Sequence, residues 1–209
     1  MRHAGTYIAV SLLAASLATL PARAEHIGWY VKGGVGPAWM DDVELDLAGE
    51  DLEFDLGMRF DIGGGYRFCD WFALEGETGF IINYIDELGG IDDWDDSYLA
   101  NWPLMVNAVF EIPTRTPLVP FLGVGVGLSF TTLEIDDVGG LDGDDTDAVF
   151  AYQGFAGLRY NINDQWSVSV AYKYFATTDP EYDVSGLSED IELQDVRTHA
   201  FVASFNFNF

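Results

Sequence analysis

Residues 54–68 read FDLGMRFDIGGGYRF. The even positions hold Phe54, Leu56, Met58, Phe60, Ile62, Gly64, Tyr66 and Phe68, while the odd positions carry Asp55, Arg59, Asp61 and Arg67. A period of two belongs to a β-strand, whose successive side chains point to opposite faces. Which face turns inward decides the fold. In a soluble barrel the apolar set fills the interior; in a barrel that crosses a bilayer the order is inverted.

The same separation recurs along the chain. Ile27, Trp29, Val31 and Val35 stand against Lys32; Phe72, Leu74, Phe80 and Ile82 against Glu75 and Glu77; Trp166, Val168, Val170, Tyr172 and Tyr174 against Lys173. Large apolar residues in such numbers would overfill an eight-stranded barrel, which is just wide enough for its own side chains. The opposite set is rich in small residues, including Gly34, Gly36, Ala38, Gly63, Gly65, Gly79, Gly123, Gly125, Gly127 and Ser129, which suit a narrow interior. We therefore place the apolar face outside, against lipid. Trp29, Phe68, Phe72, Phe110, Tyr160, Trp166 and Phe209 form one aromatic girdle in this reading. Trp39, Phe54, Tyr84, Tyr98, Phe130, Phe150, Tyr174 and Phe201 form the other.

Eight alternating segments are expected, at about 27–39, 54–68, 71–84, 98–111, 119–132, 149–160, 166–176 and 198–209. Their length matches tilted strands that span a bilayer. The links between them alternate in kind. Cys69-Asp70, PTRTPL and NINDQ are short; MDDVELDLAGEDLE, IDELGGIDDWDDS, TLEIDDVGGLDGDDTDA and TTDPEYDVSGLSEDIELQDV are long. Short periplasmic turns and long extracellular loops follow that alternation in an outer-membrane barrel.

The chain carries 35 acidic residues against 9 basic ones, a formal charge of -26. Residues 41–55, 86–96, 134–147 and 179–195 hold 28 of the 35 acids and no lysine or arginine. The acidity thus belongs to the long links. A nucleic-acid partner is excluded by the missing basic footprint.

Residues 1–24 have the pattern of a cleaved secretory signal: Arg2 and His3, the apolar run IAVSLLAASLATL, Pro21, then Ala22-Arg23-Ala24. The run is too short for a spanning helix, which needs roughly 20 residues. Residues 25–209 then make one domain. Cys69 is the sole cysteine, so no intramolecular disulfide can form.

The chain ends FVASFNFNF, with Phe201, Phe205, Phe207 and Phe209 on one face and Val202, Ser204, Asn206 and Asn208 on the other. This strand, with PFLGVGVGLSF and FAYQGFAGLRYNI, resembles the small eight-stranded outer-membrane barrels related to the OmpA transmembrane domain and the porin-like opacity family. The resemblance covers residues 25–209. It implies an all-β, antiparallel, up-and-down barrel in the cell outer membrane, with the four terminal phenylalanines as the signal read by the barrel-insertion machinery. No peptidoglycan-binding segment is expected after Phe209, and cell-wall anchoring is not carried over.

Strand parity directs Lys32, Arg59, Arg67, Arg159 and Lys173 into the lumen together with Asp61, Glu75, Glu77 and Glu111. Buried charges must pair, and we expect an ion-paired plug; a narrow passive channel for small solutes or cations is the alternative. Asp142, Asp144, Asp145 and Asp147 offer hard oxygen ligands for a divalent cation but lack the EF-hand arrangement. We expect no cofactor beyond loosely held divalent cations. His26, His199 and Ser204 form no catalytic dyad by this topology, and no enzyme is expected. The expected partners are outer-membrane lipid, lipopolysaccharide and an extracellular ligand, and the barrel is expected to be monomeric. Its expected role is structural or in surface interaction.

Overall fold

The computed structural model describes residues 27–41, 43–44, 51–88, 98–138, 141–178, 181–182, 191–192 and 196–209. In chain order the strands are β1 (Gly28–Met40), β2 (Val43–Glu44), β3 (Asp51–Phe54), β4 (Gly57–Cys69), β5 (Phe72–Leu88) and β6 (Tyr98–Glu111). They continue with β7 (Leu118–Val138), β8 (Leu141–Asn161), β9 (Trp166–Thr177), β10 (Glu181–Tyr182), β11 (Ile191–Glu192) and β12 (Arg197–Asn208). Eight are long. Each of these pairs antiparallel with its neighbours, and β1 bonds both β4 and β12, so the sheet closes on itself. Closure removes every free edge among the eight.

The closing seam runs from Tyr30↔Asn208 to Met40↔Thr198, and the Phe209 amide donates to the Trp29 carbonyl at 3.0 Å. The short connections are built by turn chemistry written in the sequence. The Asn163 side-chain oxygen accepts from the amides of Gln165 (2.9 Å) and Trp166 (2.8 Å), fixing the β8–β9 turn. Thr114 donates to the Leu118 carbonyl at 2.7 Å in the β6–β7 turn.

Pro103 lies within β6 and has no amide proton for the ladder. The β5–β6 pairing is interrupted between Thr78↔Leu104 and Ile81↔Asn101, on either side of it, and resumes in the same register. There the Thr78 hydroxyl donates to the Pro103 carbonyl at 2.9 Å and accepts the Trp102 indole proton at 3.0 Å.

The strand boundaries differ from the sequence reading along the long links, where β5 also runs on to Leu88 and the short strands β10 and β11 pair. The third long link was expected to be a loop, yet β7 and β8 continue through most of it, pairing down to Val138↔Leu141. Leu133, Ile135 and Val138 sustain strand propensity between the acids. In the first long link, β3 pairs with the extended end of β5 instead of continuing into β4. The described residues contain no helix long and apolar enough to cross a membrane.

The faces are inverted relative to a soluble protein. Val124, Val126 and Val106 on the outer surface are 58%, 56% and 56% exposed, whereas Arg59 inside is 0% exposed. Near the short-turn end an aromatic chain runs Trp29, Tyr66, Phe68, Phe72, Phe110 and Trp71, with consecutive ring centroids 5.0–6.4 Å apart. Trp39, Tyr172, Tyr174 and Phe201 cluster toward the other end. The side chains of Phe54 and Tyr84 lie outside the described residues.

Candidate functional site

The barrel wall brings the nine charged residues of alternating strand positions into its interior. Arg59 and Asp61 come from β4, Glu75 and Glu77 from β5, Lys32 from β1 and Lys173 from β9. Arg67 on β4, Glu111 on β6 and Arg159 on β8 stand nearer the short turns. All but Lys32, whose side chain is 12% exposed, are buried.

Glu77 is the hub. Its carboxylate lies 2.6 Å from Lys32 Nζ, 2.7 Å from Lys173 Nζ and 3.1 Å from Arg59 Nη2, and it accepts from Gln153 Nε2 at 3.0 Å. Asp61 pairs with Arg59 Nε at 2.9 Å and with Lys173 Nζ at 2.6 Å. Glu75 pairs with Lys32 at 2.6 Å and accepts from Tyr30 Oη (3.0 Å) and Asn107 Nδ2 (3.2 Å). Three cations meet three carboxylates here. Such pairs are tolerable in a low-dielectric interior because each acceptor has more than one donor.

The second cluster is a carboxylate between two forks. Arg67 donates to Glu111 through Nε and Nη2, both at 3.1 Å. Arg159 donates through Nη2 at 2.6 Å and through Nη1. Planar bidentate recognition of this kind needs arginine. Tyr30 links the clusters, its hydroxyl on Glu75 and its ring 5.1 Å from the Arg67 guanidinium. The Lys32 and Lys173 ammonium groups stand 5.8 and 5.5 Å from the Phe155 ring.

Beyond the hub, Ala38, Ile81, Met105, Ala151, Phe175, Ala200 and Val202 form an apolar cluster across the interior. The Arg59 guanidinium is 5.7 Å from the Phe175 ring. Glycines make room for these side chains. A Cβ on Gly123 would fall 2.3 Å from Phe155, and one on Gly125 would fall 1.9 Å from the Asn107 amide oxygen. Between the two charged clusters the interior leaves a cavity of about 40 Å³.

Charge alone pointed to none of Tyr30, Asn107, Gln153, Phe155 and Phe175. Parity could have found them, since each shares an inward set with a charged residue on its strand. The remaining candidates lie apart from this network. Asp142, Asp144 and Asp145 belong to the β8 backbone and their carboxylates lie outside the described residues. Asp147 pairs in register with Thr131, and its carboxylate accepts from the Ala148 amide at 2.7 Å. Among the described residues no group of three His, Cys, Asp or Glu side chains could hold a metal. Phe201, Phe205 and Phe209 are exposed on the outer face of β12 and Phe207 is half-buried. His199 bonds Tyr172 Oη at 2.6 Å and approaches Asp41 at 3.2 Å on the outer face; His26 lies outside the described residues. Ser204 is not among its partners.

The profile of the family described as Outer membrane protein beta-barrel domain matches residues 8–209. An uncharacterised protein of Brucella abortus (strain 2308) is 27% identical over 191 residues, covering 70% of this chain and 67% of that protein. Among solved structures, the outer membrane protein OprG of Pseudomonas aeruginosa is similar at TM-score 0.66 and 17% identity, over 90% of this chain and 100% of that one. Neisserial surface protein A is similar at TM-score 0.61 and 18% identity, over 87% and 97%. At these identities the likeness to solved structures is one of fold.

Proposed function

Because this chain belongs to the outer-membrane protein β-barrel family and resides in the cell outer membrane, we propose that it works there as a closed barrel with a structural and surface-interaction role. The interior carries a fixed charge network in place of a solute path. The signal at residues 1–24 directs export, the short turns face the periplasm, and the long acidic links face the outside. There their carboxylates concentrate divalent cations near the phosphates of lipopolysaccharide and repel free anions. We assign the barrel no reaction.

The observation that carries this reading is the pair of bonds across the lumen. Lys173 on β9 reaches Glu77 on β5 at 2.7 Å, and Arg59 on β4 reaches Gln153 on β8 at 2.9 Å. Each pair joins strands four positions apart around an eight-stranded ring, so the side chains meet across its full width. Moving a solute past them would separate buried charges from their partners, a loss of several kcal/mol on the scale of about 3–5 per broken pair.

Liposome swelling tests it. Vesicles carrying the refolded barrel are expected to swell in sugars and small amino acids no faster than empty vesicles. Size-dependent swelling above that background would replace the closed barrel with a porin-like channel.

A further inference from the structure

Two rows of outward-facing residues climb the barrel wall from the short-turn end. One follows the ladder pairs Leu118↔Tyr160, Tyr160↔Val168, Val168↔Phe205 and Phe205↔Gly33. Leu118 opens β7, Tyr160 is next to last in β8, Val168 is third in β9, Phe205 is fourth from the end of β12 and Gly33 is sixth in β1. Each step around the barrel therefore lies deeper in its strand. The second row, Leu158, Val170, Ala203 and Val35, runs beside the first.

A groove of about 750 Å³ lies along these rows, with Gly34, Ser169 and Ser204 between them as its floor. That volume falls within the roughly 300–1,000 Å³ of ligand sites. Gly33 and Ala203, both exposed, project little from the wall and deepen its upper end. The groove opens on the face that meets hydrocarbon, so a hydrocarbon chain is what fills it.

The lower end supplies a charge. Arg115 is exposed and is the one basic residue in the three short turns. Thr114 and Thr116, on either side of it, donate to the Leu118 carbonyl at 2.7 and 3.2 Å, which fixes this turn to the lowest residue of the groove. The Asn161 amide donates to the Pro117 carbonyl at 2.8 Å and brings the β8–β9 turn, with Asp164, alongside. A guanidinium recognises a phosphate, and the neighbouring acid disfavours a second negative charge on the same headgroup.

We infer that this groove binds a glycerophospholipid of the periplasmic leaflet, with one acyl chain along the two rows and its phosphodiester against Arg115. The choice of leaflet rests on the orientation proposed above, with the short turns in the periplasm. A chain that enters at that rim and rises toward the bilayer middle has the direction of the rows.

Native mass spectrometry of the refolded barrel, titrated in detergent micelles with palmitoyl-oleoyl phosphatidylethanolamine, counts the lipids bound. The first is expected to bind about tenfold more tightly than the next. Arg115→Gln is expected to weaken that first step about tenfold, the scale of one charge-assisted contact. A Cβ on Gly33 would meet only the Asp61 carbonyl oxygen, at 4.0 Å. Gly33→Leu with Ala203→Leu therefore extends into the groove and is expected to remove the distinction between first and later lipids. Arg115→Gln, in an exposed turn, keeps the test decisive if the filled groove does not fold. Statistical binding by the unaltered barrel, or a first step that either folded variant leaves unchanged, would overturn the site. A dimer mass abolished by filling the groove would also overturn it and make this face an interface between copies. A tag placed ahead of β1 and reached by antibody on intact cells would overturn the orientation, while leaving the groove and its lipid in place.

Discussion

Lys173 and Glu77 meet at 2.7 Å across the full width of the barrel, although 96 positions separate them in the chain. Glu77 also takes Lys32 and Arg59, and Lys173 also takes Asp61, so one contact ties four strands together. That relationship spans the lumen at the level of the hub.

Removing the hub charge is expected to be severe. Glu77→Gln keeps the size of the side chain but leaves three cations facing two carboxylates. A loss of roughly 3–5 kcal/mol is expected in denaturant unfolding from phospholipid vesicles. Adding Lys173→Met evens the count again and is expected to recover part of that loss, a coupling that a double-mutant cycle would measure.

Two glycines on neighbouring strands are expected to respond in opposite ways. Gly123 faces Phe155, where a Cβ would stand 2.3 Å from the ring, whereas a Cβ on Gly154 would meet nothing within 4 Å. Gly123→Ala is expected to cost roughly 1–3 kcal/mol by overpacking. Gly154→Ala should stay within about 0.5 kcal/mol of the starting protein. Phe155→Leu in the Gly123→Ala background should restore part of the loss, which unfolding midpoints in the four variants would show.

The outer face offers a test of which side meets lipid. Val126 is 56% exposed in the middle of β7. In water an exposed valine tolerates replacement by arginine. Against hydrocarbon, Val126→Arg is expected to cost roughly 2–4 kcal/mol. The same unfolding measurement in vesicles separates the two cases, and a neutral result would place this face outside the bilayer.

The terminal phenylalanines are proposed to act during assembly more than in the finished fold. Phe209 is 65% exposed, and its amide, not its ring, makes the seam bond to Trp29. Phe209→Ala is expected to lower the amount of barrel in the outer membrane several-fold. Its unfolding midpoint after refolding in detergent should change little. A matching fall in both quantities would make the residue structural.

Much of this architecture was legible because the strand period is two. Parity in FDLGMRFDIGGGYRF assigns Arg59, Asp61 and Arg67 to one face before any register is known. Partners were not legible. Whether Glu111 meets Arg67, Arg159 or both depends on strand stagger, which closure sets and no local pattern encodes. Acidic composition also hid how far the β7–β8 hairpin extends. Asp and Glu argue for loops, yet Leu133, Ile135 and Val138 kept the ladder going through Glu134. Tyr30, Gln153 and Phe155 went unnoticed because a search for charge passes over the neutral residues that complete a charged network.

Single-channel recording in a planar bilayer tests the closed interior most directly. The refolded barrel is expected to be electrically silent, whereas a barrel carrying Glu77→Ala, Lys173→Ala and Arg59→Ala together, if it folds, is expected to conduct. Reproducible steps from the unaltered protein would contradict the account. They would turn the luminal charges from a plug into a filter.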